Sequence, residues 1–91
     1  MEARYVISPY DHVIRNISER EGNDWRLMSA IAYHESRFKA DIVSRRGARG
    51  LMQIMPAVAR QFDVASEEAL LDPKTNVLLA NKVWNRIDST L

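Results

Sequence analysis

Glu35-Ser36 and Gly50-Leu51-Met52-Gln53 are the residues whose types and spacing suit chemistry. Leu27, Ile31 and Glu35 recur at i, i+4 and i+8, with Met28 beside them, so all four are expected on one side of a helix. A carboxyl group at the end of such an apolar face is costly to ionise. Burial there favours its protonated form, and the negative end of the helix dipole acts in the same direction. A carboxyl that keeps its proton is what a general acid needs. The same position also suits a Glu turned to solvent or paired with an arginine, and position alone does not choose between these. Ser36 is equally open: a helix-end hydroxyl bonded to backbone, or a group that orients a substrate amide or a water. Taken singly, Met52 and Gln53 read as core filler and surface.

Other chemistries find less support. His34-Glu35 opens the zinc-protease pattern His-Glu-x-x-His, but Phe38 stands where the second histidine belongs, and the one other histidine, His12, falls in a different predicted helix. Two histidines and no cysteine supply too few ligands, so no metal is expected, and no cofactor. His34 points about 100° around the helix from Glu35 and is not an obvious partner. No Ser/His/Asp nucleophilic set and no phosphate-binding glycine-rich loop is evident. Asp41 stays open as a second acid. Arg45, Arg46, Arg49 and Arg60 read as a solvated basic loop, with at most a modest pull on an anionic polymer. A DNA-binding helix-turn-helix is the best non-enzyme alternative by architecture, but its basic residues sit in a loop and its last helix is apolar. A net charge of +1 gives no electrostatic case for nucleic acid or a membrane surface.

The elements that must position these residues are helical. Ser8-Pro9-Tyr10-Asp11 reads as a helix start, and Tyr10, Val13, Ile14 and Ile17 give an amphipathic helix ending near Gly22. Asn23 and Asp24 offer the next cap, with a second helix from Trp25 to about Phe38. Residues 39–49 have no clean period, and Gly50 to Ile54 reads as a short helical turn. Pro56 starts a third helix through Phe62. Ser66-Glu67-Glu68 opens a short helical turn holding Ala69, Leu70 and Leu71. Asp72-Pro73 starts a long last helix with an apolar stripe of Val77, Ala80, Trp84, Ile87 and Leu91. No strand pattern or internal repeat stands out, so the expected class is all-α. The 91 residues, 46% hydrophobic, form one domain with a thin core, residues 1–7 being a lead-in. No apolar run approaches the roughly 20 residues of a membrane span. Met1 to Ile7 lack a signal peptide's apolar core, so export would need a targeting segment outside this sequence. The absence of cysteine does not fix the compartment.

Glu35-Ser36-Arg37-Phe38, then Gly47 to Ala57 (Gly-Ala-Arg-Gly-Leu-Met-Gln-Ile-Met-Pro-Ala), then Leu71 to Val77 (Leu-Asp-Pro-Lys-Thr-Asn-Val) resemble the soluble-lytic-transglycosylase-type (SLT) catalytic domains. The order and spacing match across roughly residues 8–88. Asp24-Trp25-Arg26-Leu27 resembles the membrane-bound type-F branch, in which this domain follows a solute-binding-like domain. The resemblance implies a lysozyme-like multi-helix fold, peptidoglycan glycan strands as substrate, and a periplasmic or cell-envelope setting, with the full-length protein membrane-anchored in that branch. It implies Glu35 as the single acid/base and Ser36 as a residue that helps hold the substrate or order the site. It also implies that Gly50, Leu51, Met52 and Gln53 line the cleft, Met52 and Gln53 contacting sugar. Val58 stands where the family usually has Thr, and Ala80 and Val83 where it often has Gly and Tyr. The family carries a further Tyr-Asn motif downstream of the point reached by Leu91, so the resemblance implies a domain incomplete at its C-terminus. The alternative is a catalytically incompetent fragment that binds glycan weakly or covers its last helix with a second copy, as a homodimer or domain swap.

Overall fold

The computed structural model describes residues 8–90; the lead-in expected over 1–7, and Leu91, lie outside them. Asp72-Pro73 does what the sequence suggests. Asp72 Oδ2 accepts from the Thr75 backbone N–H at 3.0 Å and from its hydroxyl at 2.9 Å, and the longest helix runs over Pro73–Thr90. Asp24 caps another in the same way, its Oδ1 accepting from Arg26 N at 2.9 Å. The helices are α1 (Asp11–Arg20), α2 (Trp25–Ser36), α3 (Pro56–Gln61) and α4 (Pro73–Thr90), with a short 3₁₀ helix at Glu68–Leu71 before the last. The fold is all-α, as expected; among the described residues the extended pairing is limited to the isolated bridges Val43–Arg49 and Arg49–Ile54.

Three boundaries differ from the expectation. The first helix begins at Asp11 and not at Pro9. Ser8 spends its hydroxyl inside a preceding turn, accepting from Tyr10 N at 3.1 Å and donating to Asp11 Oδ1 at 3.0 Å. The second helix stops at Ser36 because Arg37 and Phe38 both take left-handed backbone, φ 55° and 61°. Gly50 to Ile54 is not a helical turn. Arg49 and Ile54 exchange reciprocal N–H···O bonds of 2.9 and 3.0 Å, and Gln53 N donates to Gly50 O, so the segment is a tight reversal closed like a hairpin.

α1 packs against both α2 and α4. The core takes Ile14 and Ile17 from α1, Met28 and Ala32 from α2, Leu51, Met52 and Ile54 from the reversal, Ala59, Leu70, and Val77, Leu79 and Ala80 from α4. Buried polar groups in it are matched, as they must be. Asn81 on α4 accepts from Asn23 at 2.8 Å and donates to Ser18 Oγ and Val77 O, fixing α4 against the α1–α2 junction. The apolar stripe predicted for the last helix is only half used: Val77 and Ala80 are buried, whereas Trp84 and Ile87 are 37% and 49% exposed.

Candidate active site

The helical phase of α2 decides what its C-terminal end presents. Its buried residues are Met28, Ser29, Ala32 and Ser36, a stripe one residue on from the expected Leu27–Ile31–Glu35 line. Leu27 is 41% exposed, Ile31 is half-buried, and Glu35 is exposed. Of the two placements the position allows for Glu35, the one turned to solvent is found. Residues 28, 32 and 36 are joined by the same i, i+4 step as 27, 31 and 35, and tertiary contact with α1 and the reversal selects the first set. Glu35 lies on the shoulder of the helix, one turn beyond Ile31. It makes no hydrogen bond or ion pair among the described residues.

Ser36, its neighbour, is tied completely. Its hydroxyl lies within hydrogen-bond distance of Leu51 O at 2.7 Å and Ala32 O at 3.0 Å, and accepts from Lys39 N at 3.3 Å. The bond to Leu51 fastens the end of α2 to the 49–54 reversal. The left-handed pair Arg37–Phe38, a conformation costing roughly 1–2 kcal/mol per non-glycine residue, turns the chain away directly after it. Several contacts offset that cost. Arg37 N donates to Tyr33 O at 2.9 Å, the Arg37 guanidinium lies 4.5 Å over the Tyr33 ring and donates to its hydroxyl, and the rings of Tyr33 and Phe38 are 5.5 Å apart. Gln53 is a further left-handed residue, φ 55°. Its side-chain amide donates to Gly50 O at 2.9 Å and Ile42 O at 3.3 Å. Strain of this kind gathers where surrounding structure over-determines it, most often at functional sites.

The reversal is seated on α4. Asn76, fully buried, accepts from Met52 N at 2.6 Å and donates to Arg49 O and Leu70 O, both at 2.8 Å. Gly50, at φ 83°, is obligatory here: a Cβ would stand 2.2 Å from Leu70 O and 2.3 Å from Asn76 Nδ2. Gly50 and Leu51 thus lie buried beneath the reversal, while Met52 and Gln53 face a groove. This groove, about 210 Å³, is bordered by Met28 and Ile31 of α2, by Met52, Gln53 and Ile54, and by Ala80, Val83, Trp84 and Ile87 of α4. The structure thus brings Ser36 and the Gly50–Gln53 reversal into direct contact, and Glu35 stands beside Ser36, one helical turn beyond Ile31, which borders the groove. His34 is exposed, and among the described residues no group of three or more His, Cys, Asp or Glu is placed to hold a metal. Arg49 is not a free loop cation, since its guanidinium reaches Glu67 at 3.5 Å. Asn76 stands in the Leu71–Val77 motif of the sequence without a role assigned to it there, and Asn81 has none either. Asparagine is a poor residue for a helix interior, and two of them flanking Val77 and Ala80 were the available signal.

The family model of the transglycosylase SLT domain matches residues 12–90, and the chain belongs to that family. Membrane-bound lytic murein transglycosylase F of Pseudomonas putida (strain GB-1) is 32% identical over 82 residues, which cover 90% of this chain and 16% of that protein. Two solved structures are also similar. An inactive mutant of the lytic transglycosylase Slt of Pseudomonas aeruginosa superposes with a TM-score of 0.77 at 29% identity, covering 90% of this chain and 15% of that one. The 70 kDa soluble lytic transglycosylase of Escherichia coli superposes at 0.68 and 31%, covering 77% and 12%. The chain therefore spans a small part of each relative, and the expected lysozyme-like helical class agrees with these neighbours.

Seating of the reversal predicts unequal costs for two glycine substitutions. Gly22 also has positive φ, but a Cβ there meets nothing within 4 Å. Gly22→Ala should cost about 1 kcal/mol, from the left-handed backbone alone. Gly50→Ala should cost more than about 3 kcal/mol, because collision adds to strain. Urea unfolding of both variants checks this, and equal costs would contradict the seating.

Proposed function

We propose that this chain carries the acid/base centre of a peptidoglycan lytic transglycosylase, with Glu35 as its only general acid/base. The observation that supports this most is the placement of an unpaired carboxyl directly beside a fully bonded Ser36, one helical turn beyond Ile31, which borders an apolar groove. The Slt relative, described as inactive, carries a Glu-to-Gln change, so one glutamate matters to that enzyme. Glu35 is exposed in the chain alone.

The chemistry then needs no second carboxylate, unlike most glycosidases. Glu35 donates its proton to the glycosidic oxygen between N-acetylmuramic acid and N-acetylglucosamine. The bond from that oxygen to the muramic C1 breaks, and positive charge develops on C1. The carboxylate takes the proton of the same sugar's C6 hydroxyl, and O6 bonds to C1. The products are a 1,6-anhydro muramic end and a free N-acetylglucosamine hydroxyl, with no water consumed and Glu35 protonated again. In this reading Met52 and Gln53 contact sugar. Ser36, Gly50 and Leu51 hold their positions from beneath. The substrate places the protein in the cell envelope, and the membrane-bound relative suggests anchoring outside this segment, since no helix among the described residues is long and apolar enough to cross a membrane.

On purified peptidoglycan, Glu35→Gln should abolish release of anhydro-muropeptides while helix content stays unchanged; undiminished release would end the assignment of Glu35. A second reading is favoured by the exposed Trp84 and Ile87 on α4. In that reading the chain is inactive alone and a second copy covers this face. Sedimentation at rising concentration then shows dimer, whereas a monomer throughout argues against it.

A further inference from the structure

The Gly50–Gln53 reversal is held from two sides by two side chains. From α2, Ser36 Oγ reaches Leu51 O at 2.7 Å. From α4, the Asn76 carboxamide takes Met52 N as donor and gives its two hydrogens to Arg49 O and Leu70 O. The Asn76 side chain is fully buried, and no polar atom of its amide is left over. Gly50 rests directly on this amide, with no room for even a methyl group between them.

We propose that Asn76 is a positioning residue for the reaction assigned to Glu35: its carboxamide sets how the reversal is seated on α4. Through Leu51 O and Ser36 Oγ, that seat sets where the end of α2, and so Glu35, stands relative to Met52 and Gln53. The proposal rests on the reading of Glu35 as the acid. The requirement is chemical as well as steric. An aspartate of the same shape keeps an acceptor for Met52 N but turns its other oxygen toward two carbonyls, which repel it. Asn81 supplies a built-in comparison. It is equally buried on the same helix and equally bonded, but its partners are Asn23, Ser18 and Val77, and it does not touch the reversal.

Amide hydrogen exchange of the unaltered chain, read by NMR, is the first measurement. The Met52 amide should be as protected as those of Ile14 and Ile17; exchange at the rate of an exposed turn would overturn the proposal whether or not any variant folds. In folded Asn76→Asp, Met52 exchange should rise at least about tenfold with α1 unchanged. Its kcat on peptidoglycan should fall about a hundredfold at unchanged KM, the cost of a misplacement on the order of 1 Å, while Asn81→Asp keeps its kcat when folded. A folded Asn76→Asp with unaltered kcat would also overturn it. If the unaltered chain releases no product, the reading of this segment as active alone fails, and Met52 exchange still decides whether Asn76 holds the reversal.

Discussion

A buried carboxamide is stable only when its donors and acceptor are all matched, and Asn76 meets that condition with three backbone partners. Those partners belong to Arg49, Met52 and Leu70, so one side chain joins the reversal, the 3₁₀ helix and the start of α4. The rest of the groove follows from this. Gly50 must be glycine because the amide lies against it. Leu51 is fully buried, and its carbonyl is thereby aimed at Ser36. Met52, a buried core residue, and Gln53 line the groove. Backbone bonds made by a rigid side chain hold geometry better than surface charge pairs, which are weak and mobile.

α2 shows how a helix can divide labour between neighbours. Ser36 points inward and is consumed by the scaffold, whereas Glu35, 100° around, is left unbonded. The left-handed Arg37 and Phe38 end the helix there. A helix continuing in register would carry the following residues along the rim, and the early stop leaves Glu35 in its last turn. The strain of that stop is held by Tyr33, through its carbonyl, its ring and its hydroxyl. The site is thus built by over-determined backbone beside an unbonded Glu35.

Much of this was readable in the sequence, and the failures have physical causes. Helix starts were legible where a side chain does the capping, as at Asp24 and Asp72. The start at Pro9 was misplaced because Ser8 bonds within a turn of its own. The motif residues Ser36 and Gly50 to Gln53 do converge, but the buried stripe of α2 is Met28–Ala32–Ser36 and not Leu27–Ile31–Glu35. A single residue step rotates the whole stripe, and only the packing partners reveal which stripe is chosen. The asparagines were passed over because a polar residue in a helix reads as surface until its backbone partners, far away in sequence, are known. The second half of the last helix, Trp84 and Ile87, carries the expected apolar spacing but is less buried than Val77 and Ala80, since spacing reports a face and not how deeply it is packed.

That one carboxyl suffices as acid and base is tested most directly by the fate of water. Peptidoglycan digested in water enriched in heavy oxygen, followed by mass spectrometry of the muropeptides, distinguishes internal attack by O6 from hydrolysis. The predicted result is muramic ends that carry no label and are lighter by one water than a hydrolysed end. Labelled, reducing muramic ends would contradict it, because they require a water activated at the site and a base that holds it there.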